Sequence, residues 1–164
     1  MAYQTIKLTK HSDNIIERDA HAAIIPGALV ELNADDEVLS HDTEGGNAVP
    51  IMFAIENTLE GKGIDDDYAA GAKVQVWIPN RGDIVYALIA DEETCGIGEF
   101  LESSGTGGSL HVHVGDVGDS TTVTTQNAII GVALEAITAG AYGSGSESSA
   151  TGDYHNPRIK VMIV

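Results

Sequence analysis

The sequence predicts an all-β domain, a sandwich or barrel of short strands joined by glycine-rich turns. Three observations point there. Short runs alternate apolar and polar residues at period two, as in KVQVWI at 73–78 and SLHVHV at 109–114. Turn signals separate these runs at short intervals: Pro26-Gly27, Pro79-Asn80-Arg81-Gly82 and SSGTGG at 103–108. The chain carries 19 Gly with frequent Thr, Val and Ile, a mix that suits strands and tight turns better than a helical bundle.

The elements follow in chain order. Residues 1–20 are mostly polar, with Tyr3, Ile6, Leu8, Ile15 and Ile16 scattered through them. This reads as an N-terminal arm that orders against a partner, with an edge strand at 5–8 as the alternative. Residues 21–164 form a single domain, because 164 residues suffice for one core and hardly for two. Segments 22–25 and 28–32 flank the Pro26-Gly27 turn, and Ala28, Val30 and Leu32 share a face. An acidic loop spans 33–47, with room for a short strand at Val38 and Leu39. A strand at 49–56 begins beside Pro50. Within 61–71 a short helical turn near 65–70 is expected, capped by Asp65 and closed by Gly71. Runs 73–78 and 83–90 read as a β-hairpin across a four-residue turn.

Further along, Phe100 and Leu101 mark a short strand at 99–102. In the strand at 109–114, Leu110, Val112 and Val114 share one face and His111 and His113 the other. Residues 115–119 read as a turn. The nearly continuous apolar run at 127–137 predicts a central strand, since Gly131 and the Ile and Val content disfavour a helix. Residues 139–153 are a low-complexity surface loop. The run at 157–164 closes the sheet with Ile159, Val161 and Ile163 inward.

Charge bounds the partners. The net charge is -17, from 25 acidic and 8 basic residues. Such a surface repels phosphate backbones and anionic membranes, which excludes nucleic acid and membrane as expected partners. Only five of the basic residues are Lys. An acidic, Lys-poor surface stays soluble where salt screens its self-repulsion, so it suggests a halophilic host or simply an acidic surface protein. The single Cys95 cannot form an intrachain disulfide. Residues 1–10 lack the apolar core of a signal peptide, and the longest apolar stretch, 85–90, is too short to span a bilayer. Synthesis in a host cytoplasm is therefore expected.

No catalytic constellation emerges, and no enzyme activity, metal or cofactor is expected. The Gly105-Thr106-Gly107-Gly108 run lacks the Lys-Ser/Thr ending of a phosphate loop. His111 and His113 could chelate zinc, but a site needs three or four ligands and no second cluster lies nearby in sequence. Asn33, Asp35 and Glu37 mimic the start of a calcium loop, yet Val38 stands where glycine is needed. Asp65, Asp66 and Asp67 are better explained by capping than by a metal. Cys95 has no basic neighbour in sequence to activate it.

Three segments carry a family resemblance. Residues 60–77 (EGKGIDDDYAAGAKVQVW) resemble the Gly-Lys-x-Ile-Asp-Asp-x-Tyr-x-x-Gly segment of head decoration (capsid cement) proteins of tailed viruses with an HK97-type capsid. Residues 81–110 resemble the following segment of that family, with Glu99 where Asp is usual and Thr106-Gly107-Gly108 in place of the usual turn. Residues 129–136, Gly140 and 158–164 resemble its C-terminal strand pair. The similarity as a whole spans roughly 27–164. The resemblance implies a small β-barrel or β-tulip-like domain that binds the outer capsid surface. It implies a homotrimer at three-fold and local three-fold positions, bridging neighbouring major capsid proteins. It also implies an N-terminal arm over adjacent subunits. Tyr3, Ile6 and Leu8 are the expected capsid contacts, because exposed apolar residues on a polar arm need a partner. His111 and His113 are the expected trimer contacts. The alternatives are another virion structural part, such as a turret, spike base or tail protein, and a cellular β-barrel that binds a small ligand.

Overall fold

A computed structural model describes residues 3–11, 13–113, 127–139 and 157–164. The chain is all-β. Its strands are β1 (Lys7–Thr9), β2 (Ile15–Asp19), β3 (Val30–Leu32), β4 (Val38–Ser40), β5 (Phe53–Ala54), β6 (Lys73–Trp77), β7 (Ile84–Leu88), β8 (Thr94–Cys95), β9 (Phe100–Ser103), β10 (Leu110–Val112), β11 (Ile129–Ala133), β12 (Ile137–Thr138) and β13 (Arg158–Ile163). The main sheet has the order β1-β7-β13-β11-β9-β10. A three-stranded sheet runs β2-β6-β5, and two small pairs are β3-β4 and β8-β12. Every ladder is antiparallel. Among the described residues these sheets remain separate and do not close into one hydrogen-bonded barrel.

Alternation along β5 and β6 sorts residues between two cores. Phe53 and Trp77 turn toward the main sheet, where they meet Ile6, Val85, Leu101, Ile159 and Val161. Ala54, Val74 and Val76 turn the other way, toward Ile24, Val30, Val38 and Tyr68. The β5–β6 pair is thus buried on both faces at Phe53, Ala54, Val76 and Trp77, which requires apolar residues in both alternating sets.

The described residues of the 1–20 segment are built into the fold rather than held out from it. Ile6 is 0% exposed and lies in the main core. Its backbone carbonyl accepts from Tyr86, and its N–H donates to the Glu56 carboxylate at 3.1 Å. β1 is an edge strand on β7, and β2 pairs along the whole of β6. Burial satisfies the apolar Ile6 side chain within the chain itself, which removes the reason for expecting it to need a partner.

The expected 73–90 hairpin is absent. β6 and β7 are joined by the 79–82 turn, yet β6 pairs β2 and β5 while β7 pairs β1 and β13. Asp83 explains the crossover. Its buried carboxylate accepts from the Asn80 N–H at 2.7 Å, the His11 N–H at 2.7 Å and the His11 ring at 2.6 Å. Gly82 N–H donates to the Ile163 carbonyl. The turn is spent on other elements, and Trp77 and Val85 enter the same core from opposite layers.

The helical turn near 65–70 is also absent. A single 3-10 turn lies upstream at Thr58–Glu60, capped by Asn57 and closed by Gly61 at φ 73. Asp66 accepts from Gly63 N–H at 2.7 Å, a local turn that competes with helix. Tyr68 exchanges backbone bonds with Ile24, and its hydroxyl donates to the Ile55 carbonyl. Burial pushes the Tyr68 phenol up to about 12. Asp65 accepts from Arg158 instead of capping.

The central and closing strands form as expected. β11 lies between β13 and β9, and Ile159, Val161 and Ile163 are buried. At Gly131 an added Cβ would stand 2.4 Å from Val161 Cγ1 and 2.6 Å from the Met162 carbonyl, so no side chain fits there. The strand at 49–56 shortens to Phe53–Ala54, and the 33–47 loop does carry β4. The turn expected at 115–119 and nearly all of the 139–153 loop lie outside the described residues.

Two outcomes follow. Ile6→Ala should destabilise the protein by about 2–5 kcal/mol in chemical denaturation, and deletion of residues 1–20 should abolish cooperative unfolding. Burial works to raise the Asp83 carboxyl, but the bonds from Asn80 and His11 outweigh it and hold the group below its ordinary value. Its stabilisation is therefore present above the unfolded carboxyl value of about 3.9 and is lost as pH falls through the depressed folded one. The stability gap between wild type and Asp83→Asn should shrink on acidification from about pH 7 to about pH 3. A constant gap would show that the ionised form is not what stabilises the turn.

Candidate functional site

The main sheet ends in the β9–β10 hairpin, whose register places Ser103 opposite Leu110, Glu102 opposite His111 and Leu101 opposite Val112. Alternation then sorts the side chains. Leu101, Ser103 and Leu110 point into the protein and are buried. Phe100, Glu102, His111 and His113 belong to the other face. His113 N–H donates to the Phe100 carbonyl, extending the pairing by one residue.

On that face Glu102 collects three donors. His111 Nε2 lies 3.0 Å from Oε1, His113 Nδ1 lies 2.5 Å from Oε2, and Asn127 Nδ2 donates to Oε1 at 2.9 Å. Glu102 is buried, while the His111 and His113 side chains keep 19% and 26% exposure. A buried carboxylate is tolerated only when such partners replace its water. The geometry assigns an Nε2–H to His111 and an Nδ1–H to His113. The two imidazoles expected at a trimer contact thus have an intrachain partner, and one ring edge of each still faces outward.

Beneath the hairpin lies a second pair that the sequence did not suggest. His41 Nδ1 stands 2.8 Å from Ser103 Oγ, and both residues are buried. His41 Nε2 is 3.9 Å from Glu31, too far for a hydrogen bond. The Ser103 hydroxyl also accepts from Gly105 N–H, and Gly108 N–H donates to the His41 carbonyl. This pair fixes the hairpin loop. Gly108 permits it, because a Cβ there would lie 2.3 Å from the Leu29 carbonyl.

The other candidates resolve into structural parts. Tyr3 meets Tyr86 edge to face at 5.2 Å, and the Lys160 ammonium sits 4.9 Å from its ring centre. Leu8 is half-buried within β1. Asn33 Oδ1 accepts from the Asp35 and Glu37 N–H groups, and Glu37 binds Asn33 and His21, so these residues serve their own turn. Hydrogen bonds from Asn33 and His21 hold the Glu37 carboxyl below its usual range. Burial and the nearby Glu99 push the Cys95 thiol up to about 11. Among the described residues no group of three or more His, Cys, Asp or Glu is arranged to hold a metal ion, and no helix is long and apolar enough to cross a membrane.

Sequence reasoning missed Glu102 and Asn127. A signal existed for the first. A hairpin closed by residues 104–109 sets Glu102 across from His111, so the carboxylate falls on the imidazole face. Asn127 lies just ahead of β11, 25 residues from Glu102, and gives no such signal. No protein-family model matches this chain, and no curated protein matches it in sequence.

Glu102→Ala removes the acceptor shared by His111, His113 and Asn127. It should cost about 1–3 kcal/mol in denaturant melts and shift the ring resonances of both histidines in NMR spectra. Unmoved resonances would mean that the imidazoles are not held by Glu102.

Proposed function

We propose that this chain is a capsid decoration protein of a tailed virus. In this reading it binds the outer surface of the mature shell as a homotrimer, at three-fold and local three-fold positions, and bridges neighbouring major capsid proteins. It performs no chemistry. The observation that carries the reading is the ordered resemblance of three segments to head decoration proteins. These segments run from the Thr58–Glu60 turn through β6, from the 79–82 turn through β7, β8, β9 and the start of β10, and along β11 and β13.

Two further features support it. A net charge of -17 suits an outer surface kept away from packaged DNA. The all-β framework with its N-terminal strand paired into the main sheet suits a rigid clamp, because contacts made by a preorganised surface lose little entropy on binding. Three linked contacts would gain further from effective concentration. The gripping role once expected of Ile6 passes to residues that remain exposed.

Purified protein should co-sediment with mature shells of its virus, and mass spectrometry of virions should find it at hundreds of copies, comparable to the major capsid protein. A handful of copies per particle would instead point to a turret, spike base or tail part. Equal binding to unexpanded procapsids would remove the expectation that it recognises only the matured lattice.

A further inference from the structure

Three of the chain's six histidines meet two adjacent residues of β9. Ser103 faces inward and takes His41. Glu102 faces the other way and takes His111 and His113, with Asn127 as its third donor. The Glu102 residue is 2% exposed, so these donors stand where water would otherwise offset its charge. His111 reaches it through Nε2 and His113 through Nδ1. The second nitrogen of each part-exposed ring, His111 Nδ1 and His113 Nε2, is left on the side away from the carboxylate.

Those second nitrogens are where protons add. Imidazole changes charge between about pH 5 and pH 8. One added proton turns a neutral donor into a cation against a buried carboxylate, and a charge-assisted hydrogen bond is about twice as strong as a neutral one. A second proton meets the first, because both rings share the one carboxylate. The other titratable groups around the hairpin have their own places. From the turn after β7, Glu93 accepts from Val112 N–H at 3.3 Å, and ahead of β9 Glu99 accepts from Gly96 N–H at 2.6 Å. Beneath the hairpin His41 lies 3.9 Å from Glu31, and Glu44 backs onto Gly105. Among the described residues no Lys or Arg is bonded to Glu102, and the two imidazoles are its source of positive charge.

We propose that Glu102, His111 and His113 form a proton-sensitive clasp, which grips the β9–β10 hairpin more tightly when one imidazole is charged than when both are neutral. The clasp acts on the corner that carries the exposed Phe100, since His113 N–H donates to the Phe100 carbonyl. It goes beyond the decoration reading and does not rest on it. The unfolded chain lacks this pairing, so the folded protein takes up the proton in preference. The added stability is therefore present on the acid side of the imidazole range and is lost as pH rises through it.

Denaturant melts of the full chain at a series of pH values from about 8 to about 6 test this. Acidification also eases the general repulsion of a chain of charge -17, so the readout is the gap between wild type and variant. The wild-type advantage over Glu102→Gln should grow about tenfold in equilibrium constant on acidification across that range, the difference between a neutral and a charge-assisted hydrogen bond. If Glu102→Gln does not fold, the double variant His111→Gln/His113→Gln, at two part-exposed residues, should show the same growth. Hydrogen exchange localises the effect. In wild type, protection of the His113 amide should rise on acidification relative to that of the Leu134 amide, which bonds the Lys160 carbonyl on the far side of β11. A gap that stays constant or narrows, or protection that rises equally at both amides, would overturn the proposal.

Discussion

Arg158 ties the last strand of the chain to two distant turns. Its Nε and Nη2 donate to the Pro26 carbonyl at 3.2 and 3.1 Å, Nη2 to the Ile64 carbonyl at 2.5 Å, and Nη1 to Asp65 at 2.9 Å. A guanidinium can do this because it presents five donors in a rigid plane. Buried as it is, the charge would be costly without those acceptors. The Pro26–Gly27 turn can approach only because Gly27, at φ 95, has no Cβ to strike the Tyr86 carbonyl and Arg158 Nε. Through this one side chain the main sheet acquires its second layer. The two cores on either side of β5 and β6 depend on that layer staying in place.

The same economy shapes the two ends of the main sheet. At one end, Asp83 gathers donors from the 79–82 turn and from His11, which anchors the start of β7 beside β1. At the other, Glu102 gathers His111, His113 and Asn127 on the β9–β10 hairpin. β10 is an edge strand, but its outer backbone is occupied. Ala90 N–H donates to the Leu110 carbonyl, and Val112 N–H donates to the Glu93 carboxylate. Covered edges resist strand addition by other chains.

The acids of this chain are unevenly placed. Carboxylates crowd the loops, while the outward strands of the main sheet hold one that is already engaged. A carboxylate kept off a sheet face, or bonded there as Glu102 is, spares that face the cost of holding an unpaired charge.

The sequence by itself determined the all-β class, the central place of 127–137 and the inward set Ile159, Val161 and Ile163, because period-two burial is a local property of a strand. It also placed β4 inside an acidic loop. It did not determine partners. KVQVWI and DIVYALIA both show buried faces and a turn between them, which fits a hairpin and equally fits a crossover between layers. The Asp83 carboxylate and its bond to His11, 72 residues away, decided for the crossover. Ile6 looked like an exposed anchor because a polar neighbourhood in sequence says nothing of what lies above it in space. Glu102 was half legible from hairpin register, and Asn127 not at all. Hydrophobic pattern states which face of an element is buried; only the tertiary structure decides against what, since that depends on polar contacts between residues far apart in the chain.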